Sequence, residues 1–337
     1  MSAVIFHKLI AMFAVVALGW GIGRARLLGA GTGALDPSRT LSNAAFYIFI
    51  PALLFRTAAR LDVGHLPWAT LQAFFAPTGL VMLLVYAAQK RRNRRHDRRH
   101  DRRHDRGVAA PTVRAISSGY GNLVQVGLPL AAALFGEAGL AIHITIVGLH
   151  ALLFLTLLTA LVELDLARER RRQGQADAHF GQTLATTARN TVVHPVVLPV
   201  LAGLLCNLAG LAIPAMLDEA LQMLGQAVVP LCLVLIGLSL AAYDLRGAAR
   251  GAAALSVLKL LVAPAAVLLI GHWVMGLAGL PLAVVVMAAA LPVGSNALIF
   301  AQRYETLEGE ASAAIVLSTL AFVATAPLWL AILHALG

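Results

Sequence analysis

The chain has 337 residues and a net charge of +10, with 59% hydrophobic and only 12% charged residues. Soluble domains carry about 25% charged residues, so this composition excludes an ordinary soluble protein. Apolar runs of about 20 residues, each able to cross the hydrocarbon core of a bilayer, recur along the sequence. The alternating segments of about ten residues that build a membrane β-barrel are absent from it. The sequence therefore predicts an all-α polytopic membrane protein.

Ten transmembrane helices are predicted in chain order. We number them as spans 1 to 10, at residues 4–23, 41–58, 67–89, 114–135, 140–163, 190–210, 217–242, 251–275, 281–303 and 311–335. Span 1 lacks a basic start and a small-residue cleavage site, so we expect a retained helix and not a signal peptide. Cys206 and Cys232 both lie in spans, which favours small buried side chains over a disulfide.

The basic residues predict the orientation of these spans. The loops that follow odd-numbered spans hold 22 of the 26 Lys and Arg residues, whereas the opposite side holds only Lys8, Arg56 and Arg60. Basic loops are retained on the cytoplasmic side of a membrane. Both termini are therefore predicted to be extracytoplasmic.

The spans divide into two repeats of opposite orientation. A first repeat at 1–163 and a second at 190–337 each hold five spans, and a cytoplasmic linker at 164–189 joins them. Prolines fall in matching spans of the two halves: Pro51, Pro77 and Pro129 in spans 2 to 4, and Pro230, Pro264 and Pro292 in spans 7 to 9. Inverted repeats with interrupted helices at matching positions are typical of secondary transporters, whose binding site lies near the membrane midplane.

A tandem repeat, RRNRRHDRRHDRRHDR at 91–106, lies in the predicted basic cytoplasmic loop 90–113. We interpret it as a repeat expansion in a solvated loop that contacts anionic lipid headgroups. His96, His100 and His104 would align on one helix face, but the dense arginines disfavour a metal ion there. A charge run alone does not predict nucleic-acid binding, so we expect neither a metal nor a nucleic-acid partner.

Spans 4 and 9 carry helix breakers and amides at mid-depth. Their sequences are YGNLVQVGLPLAAALFG at 120–136 and AAALPVGSNALIF at 288–300. We predict that these residues bind the substrate: Asn122, Gln125, Gly127 and Pro129 in span 4, and Pro292, Gly294, Ser295 and Asn296 in span 9. If both spans unwind and cross, each second half-helix starts at the midplane and its positive dipole end favours an anion. The alternative is a kinked pair of helices whose amides join neighbouring spans.

Three further polar residues within spans are candidates for a function. Lys259 in span 8 either counters a carboxylate substrate or extends its amine to the cytoplasmic interface. His143 and His150 share one face of span 5, where they either carry a coupling proton or form hydrogen bonds in the packing. No span holds a pair of carboxylates deep in the membrane, which weighs against sodium or proton coupling.

Five stretches resemble the auxin efflux carrier family. GNLVQVGLP resembles its N-x-x-x-x-G-x-P signature, and LPVGSNALIFAQRYE resembles its second crossover. LSNAAFYIFIPALLF, HPVVLPVLAGLLCNLAG and LGQAVVPLCLVLIGLSLA resemble its spans 2, 6 and 7. The resemblance covers the chain except for 90–113 and 164–189. The sequence departs from the commoner N-T-G form at Leu123 and Val124, and it has Gly294 and Ser295 where many members carry other small residues. These departures concern the substrate more than the fold.

The resemblance implies ten spans in two inverted five-helix repeats, with broken helices 4 and 9 that cross. It also implies a scaffold of spans 1, 2, 6 and 7, a homodimer, and an elevator-like motion that needs no cofactor. Members carry organic carboxylates such as malonate or auxin-like acids, and this chain is expected in the bacterial inner membrane.

Other functions are less favoured by the sequence. A sodium-coupled bile-acid-type symporter is a related alternative, but the spans lack the acidic cluster that would favour sodium. An anion sensor that does not transport would need an output domain, which the sequence lacks. The sequence contains no H-E-x-x-H, no G-x-S-x-G and no aspartate pair within spans, so we do not expect an enzyme.

Overall fold

The computed structural model describes residues 3–28, 37–60, 68–97, 107–172, 189, 195, 197–242 and 249–336. Within these ranges the chain is helical and has no strand, apart from an antiparallel β-bridge between Gly121 and Val293. The predicted all-α class is therefore confirmed for the described part of the chain. The HDRR repeat falls mostly on residues outside these ranges.

The first half of the chain forms helices α1 to α7. Their bounds are Ala3–Arg24 for α1, Pro37–Ala44 for α2, Ile50–Ala59 for α3, Trp68–Asp97 for α4, Ala110–Gly119 for α5, Gly127–His150 for α6 and Thr156–Arg172 for α7. Two π-helical turns connect helices without a break: Ala45–Phe49 joins α2 to α3, and Ala151–Leu155 joins α6 to α7.

The second half forms helices α8 to α15. Their bounds are Val197–Leu208 for α8, Ala215–Gln226 for α9, Val228–Ala242 for α10, Ala249–Val257 for α11, Ala263–Leu268 for α12, Gly279–Ala290 for α13, Asn296–Arg303 for α14 and Glu308–Leu336 for α15. Here too π-helical turns continue the helices: Leu258–Val262 joins α11 to α12, and Leu269–Val274 follows α12.

Five helical stretches of the described chain are long and apolar enough to cross a membrane. They are Trp68–Asn93, Gly127–Glu169, Ala215–Leu238, Arg250–Val274 and Glu308–Leu336, and shorter apolar helices lie at Ile10–Arg24, Tyr47–Ala59, Val197–Leu208 and Gly279–Ala290. The count of ten spans and the inverted repeat stay predictions.

The stretch Gly127–Glu169 is too long for one crossing. Its 43 residues extend to about 65 Å as a helix, about twice the thickness of a hydrocarbon core. Gly136 interrupts it with φ 63° and ψ −162°, a conformation that residues with a Cβ rarely adopt. The interruption falls between the predicted ends of spans 4 and 5, so the stretch has the length and the bend for two crossings.

Two helices are longer than predicted. Helix α4 continues to Asp97, into the predicted loop 90–113, and α7 continues to Arg172, into the predicted linker 164–189. Arg, Lys and Glu have high helix propensity and keep their charges in water beyond the membrane. Asp165 of α7 fixes one of these extensions, since it accepts from the hydroxyl of Tyr86 at 2.7 Å and forms an ion pair with Lys90.

One group of helices consists of α1, α3, α8, α9 and α10. Helix α1 packs along α10, and α3 packs along α8. A Cβ on Gly19 or Gly237 would overlap the backbone of the opposite helix, so the α1 and α10 backbones touch through these small residues. Arg56 of α3 adds an ion pair of 2.9 Å with Asp218 of α9.

The second group holds α4 to α7 and α11 to α15. Helix α4 packs on α5, and α11 packs on α15. The buried Arg114 of α5 makes a bidentate contact of 2.6 and 2.8 Å with Glu310 of α15, and it donates to Gln89 of α4 at 2.8 Å. This group contains both predicted broken helices.

Candidate functional site

Two helices of the second group are interrupted where the sequence has its helix breakers. The first break, residues 120–126, separates α5 from α6, and the second break, residues 291–295, separates α13 from α14. Pro292 and Gly294 lie inside the second break. Pro129 lies in the first turn of α6, where a missing N–H leaves no hydrogen bond unmade. The interruptions therefore follow from the local sequence.

The two breaks pair with each other through their backbones. The Gly294 N–H donates to the Tyr120 carbonyl at 2.9 Å, and the Asn122 N–H donates to the Pro292 carbonyl at 2.8 Å. A Cβ at Gly294 would lie 2.8 Å from the Gly121 carbonyl oxygen, so the approach requires a glycine. Irregular backbone in a membrane needs such internal hydrogen bonds. We call this meeting point the crossover.

In the first break, Asn122 stabilises its own turn. Its Oδ1 accepts from the Gln125 N–H at 3.0 Å, and its Nδ2 donates to the Gln125 side-chain oxygen at 3.2 Å. Its backbone carbonyl accepts from the N–H of Gly127, the first residue of α6, at 3.0 Å. Asn122 thus satisfies the first N–H of α6 through its backbone carbonyl, while its side chain closes the turn before the helix.

In the second break, fewer of the donors at the start of α14 have hydrogen-bond partners. The Ser295 carbonyl accepts from the N–H groups of Leu298 and Ile299 at 3.0 and 3.2 Å. Within the described part of the chain, neither the Ser295 hydroxyl nor the N–H of Asn296 has a hydrogen-bond partner. The Asn296 side chain reaches across the crossover and donates to the Tyr120 hydroxyl at 2.8 Å.

A cavity of about 520 Å³ opens beside the crossover. Its lining includes four predicted site residues, Asn122, Gly294, Ser295 and Asn296. The other five do not line it: Gln125, Gly127, Pro129, Pro292 and Lys259. Gln125 and Pro292 lie one residue behind the cavity wall, because each forms a hydrogen bond with Asn122. Gly127 and Pro129 belong to the first turn of α6.

Lys259 occupies a position that neither sequence interpretation described. Its side chain is 1% exposed, and Nζ donates to the Ala289 carbonyl in the last turn of α13. The amine therefore lies behind the backbone of Gly121, a residue that lines the cavity, and does not reach an aqueous interface.

The two histidines of span 5 have different surroundings. His143 is bound inside the fold, since its Nε2 lies 2.8 Å from the carbonyl oxygen of Leu123 in the first break. His150 lines the cavity, with its ring 4.0 Å from the Tyr120 ring. Its buried Nε2 has no hydrogen-bond partner among the described residues. The packing interpretation thus fits His143, and His150 keeps a nitrogen for another partner.

The sequence reasoning did not assign several residues of the cavity wall. They include Asn43, Tyr47, Tyr120, Thr159, Pro195 and Arg303. A signal existed for five of them, because Tyr120 is the first residue of the first break, and Asn43, Tyr47, Pro195 and Arg303 lie in the quoted stretches of spans 2, 6 and 9. Thr159 lies in no quoted stretch, and only the tertiary fold brings it to the cavity.

The described residues contain no group of three or more His, Cys, Asp or Glu side chains that could hold a metal ion. The donors at the crossover are instead a hydroxyl, amides and helical N–H groups. Such donors bind anions, especially at the positive end of a helix.

Comparison with known proteins identifies relatives of this chain. A family model described as "Membrane transport protein" matches residues 4–330. A protein of Rhizobium meliloti (strain 1021) named "Putative malonate transporter" is 27% identical over 290 residues, which cover 85% of this chain and 83% of the relative. "Uncharacterized transporter YfdV" of Escherichia coli (strain K12) is 35% identical over 147 residues, 44% of this chain and 45% of that protein.

Proposed function

The chain belongs to the auxin efflux carrier family of membrane transport proteins, and on that premise we propose that it is a secondary transporter of small organic anions. It is an integral membrane protein that transports a small molecule. We propose further that it has ten spans in two inverted repeats and lies in the bacterial inner membrane. Its mechanism is alternating access by an elevator-type motion.

Helix packing supports the inverted repeat. Helices α1 and α3 belong to spans 1 and 2, and α8 and α10 belong to spans 6 and 7. The close pairs are α1 with α10 and α3 with α8. Exchanging the two predicted repeats converts one pair into the other, as an inverted repeat requires. The two breaks are likewise exchanged.

The division into two helix groups supports the elevator motion. Helices of spans 1, 2, 6 and 7 form one group, and the group that holds both breaks contains the other spans. We propose that the first group is a fixed scaffold, which also forms a homodimer, and that the second group carries the crossover across the membrane. Met216 and Met223 on α9 of the scaffold are 86% and 69% exposed, as a helix facing lipid or a second copy requires.

The observation that carries the proposed substrate class is the open start of α14 in a cavity at the crossover. The Ser295 hydroxyl, the Asn296 N–H and the second hydrogen of the Asn296 side-chain amide, whose first hydrogen is donated to Tyr120, are donors at the positive end of a half-helix, where a carboxylate is stabilised. The rings of Tyr120 and His150 form the adjoining wall. One carboxylate on the donors and an organic body against the rings fit this lining, and a relative is named for malonate.

The lining also supports an inward-open conformation. Asn43, Thr159 and Arg303 line the cavity away from the crossover. They lie near the start of span 2 and the ends of spans 5 and 9, which the basic residues assign to the cytoplasm. We propose that the substrate enters and leaves between these residues on the cytoplasmic side.

Counterflow of labelled malonate and indole-3-acetate in proteoliposomes tests the proposal. The chain should exchange one of these acids and show saturation. Asn296→Ala should weaken apparent affinity about ten- to a hundredfold, the value of a hydrogen bond to a charged group. Asn207→Ala is a matched control, because this amide likewise donates a hydrogen bond at 2.8 Å, in its case to the Ala59 carbonyl, but lies outside the cavity lining.

The control should reach the membrane and bind with native affinity. Absence of exchange for both acids and for related carboxylates, from a folded and inserted protein, would refute the proposed substrate class. Equal affinity losses in Asn296→Ala and Asn207→Ala would show that the amides act only on the packing.

A further inference from the structure

The amine of Lys259 is buried at the point where both breaks meet. Nζ donates to the Ala289 carbonyl of α13. Gly121 of the first break lies directly beside it, since a Cβ on Gly121 would be 3.3 Å from Nζ and 3.5 Å from the Ala288 carbonyl oxygen. The amine is therefore enclosed by backbone from both interrupted helices.

This environment is negative because α13 ends there. The last carbonyls of a helix have no partners within it and carry the negative end of the dipole. Ala289 is one residue before the end of α13. A cation at this position satisfies a carbonyl that the break has left without its helical partner.

The surrounding helix holds Lys259 in place. It lies in the π-helical turn Leu258–Val262, and such turns are frequent at functional sites. The neighbouring Leu260 carbonyl accepts from the Trp329 indole N–H of α15 at 2.8 Å. The lysine is thus anchored by a packed helix pair and does not lie on a surface from which it could reach water.

No carboxylate balances this amine among the described residues, whose ion pairs involve other cations. A buried charge without a charged partner is unfavourable, so a charged Lys259 must be offset by carbonyl dipoles or by an anionic ligand. In transporters with interrupted helices, unwound carbonyls and the C-terminal ends of half-helices coordinate the coupling sodium ion. The Lys259 ammonium occupies a carbonyl environment of that kind.

We propose that Lys259 is a tethered cation that takes the place of a coupling sodium ion at the crossover. The inference rests on the proposed transport of an organic anion and specifies its ion requirement. The positive charge stays with the protein throughout the cycle and offsets the negative charge of the substrate on the other side of the breaks. Transport by the native chain then needs no sodium gradient, which distinguishes it from a sodium-coupled symporter.

The test is uptake of the exchanged acid, malonate or indole-3-acetate, into proteoliposomes of the full chain in sodium or choline buffer. The native chain should transport at rates within about twofold in the two buffers. Lys259→Ala should lose transport about tenfold or more in choline. Propylammonium, or sodium, should restore much of that loss, because either cation can enter the space that the side chain leaves. Lys259→Met fills this space without a charge and should show no rescue.

Three outcomes would overturn the inference: sodium-dependent transport by the native chain, native rates for Lys259→Ala in choline, or a loss in folded Lys259→Ala that neither cation relieves. If Lys259→Ala does not insert, Lys259→Met decides, because sodium-independent transport by that variant contradicts a need for the charge. If Lys259→Met does not insert either, the sodium dependence of the native chain decides. A native chain that exchanges no acid in either buffer would instead refute the proposed function.

Discussion

The two breaks occupy matching positions in the predicted repeats, yet their side chains act differently. In the first break, both polar atoms of the Asn122 amide bond to Gln125 in the same turn. In the second break, Asn296 bonds across the crossover to Tyr120, and the Ser295 hydroxyl faces the cavity without a partner in the described chain. One break is stabilised from within, whereas the other presents donors.

This difference shows that a repeated interruption does not imply a symmetrical binding site. A break needs hydrogen bonds for its backbone, and the side chain that supplies them is less available to a ligand. We infer that the first break chiefly holds the crossover together. The second break, with the open start of α14, contributes more of the substrate contact.

The largest effect is expected from the glycines of the crossover. A Cβ on Gly294 would press against the Gly121 backbone at 2.8 Å, whereas a Cβ on Gly121 would lie 3.3 Å from the Lys259 amine. The second contact needs a shift of only about a few tenths of an ångström, whereas the first forces two backbones apart. Gly294→Ala should therefore reduce transport about a hundredfold, and Gly121→Ala only a few-fold.

Initial uptake rates at equal membrane levels, normalised by a C-terminal reporter, measure this pair. Native transport by Gly294→Ala would mean that the breaks do not have to touch. A greater loss in Gly121→Ala than in Gly294→Ala would reverse the assignment of the rigid contact.

The next largest effect is a difference in substrate affinity between variants of Asn122 and Asn296. Asn122→Ala removes the side chain that accepts from the Gln125 N–H, so it should lower stability by about 1 kcal/mol, as loss of a hydrogen bond does. Its apparent affinity should fall by no more than about threefold. Asn296→Ala should lose about ten- to a hundredfold in affinity, with a stability change of similar size because its bond to Tyr120 is lost.

Melting temperature in detergent and substrate affinity, measured for both variants, give the two quantities independently. Asn122→Gln is the control that keeps an amide but shifts its position. If Asn122→Ala lost as much affinity as Asn296→Ala at native stability, both breaks would contact the substrate equally.

The positions of the breaks could be predicted from the sequence, and their pairing could not. Pro292 and Gly294 interrupt a helix through local backbone chemistry, which the residue types specify. The bond from Asn122 to Gln125 is also local, three residues apart. The bond from Asn296 to Tyr120 joins residues 176 positions apart. Nothing in either stretch predicts that these two side chains will meet.

Lys259 shows the same limit for a charged residue. Sequence position gives its depth in a span, but not whether its neighbour is lipid, water or a carbonyl. Its partner is the backbone carbonyl of Ala289, an apolar residue. This carbonyl is free to accept only because α13 ends at the next residue. Likewise, the extensions of α4 and α7 depend on pairs such as Tyr86 with Asp165, which the hydropathy pattern does not reveal.

The smallest expected effect concerns the Ser295 hydroxyl. This group has no partner in the described chain, so its removal leaves no buried atom unpaired and should not change stability. Its hydrogen bond to a carboxylate competes with water in an open cavity, which limits the contribution to about 0.5–1.5 kcal/mol, or roughly two- to tenfold in affinity. Ser295→Ala should show this loss, and Ser295→Thr, which keeps the hydroxyl, should retain most of the native affinity.

Affinity measured for the carboxylate and for its uncharged amide analogue sharpens the result, because the loss should be larger for the charged ligand. If Ser295→Ala bound both ligands as the native chain does, the open start of α14 would not be the substrate contact, and the division of roles between the two breaks would fall with it.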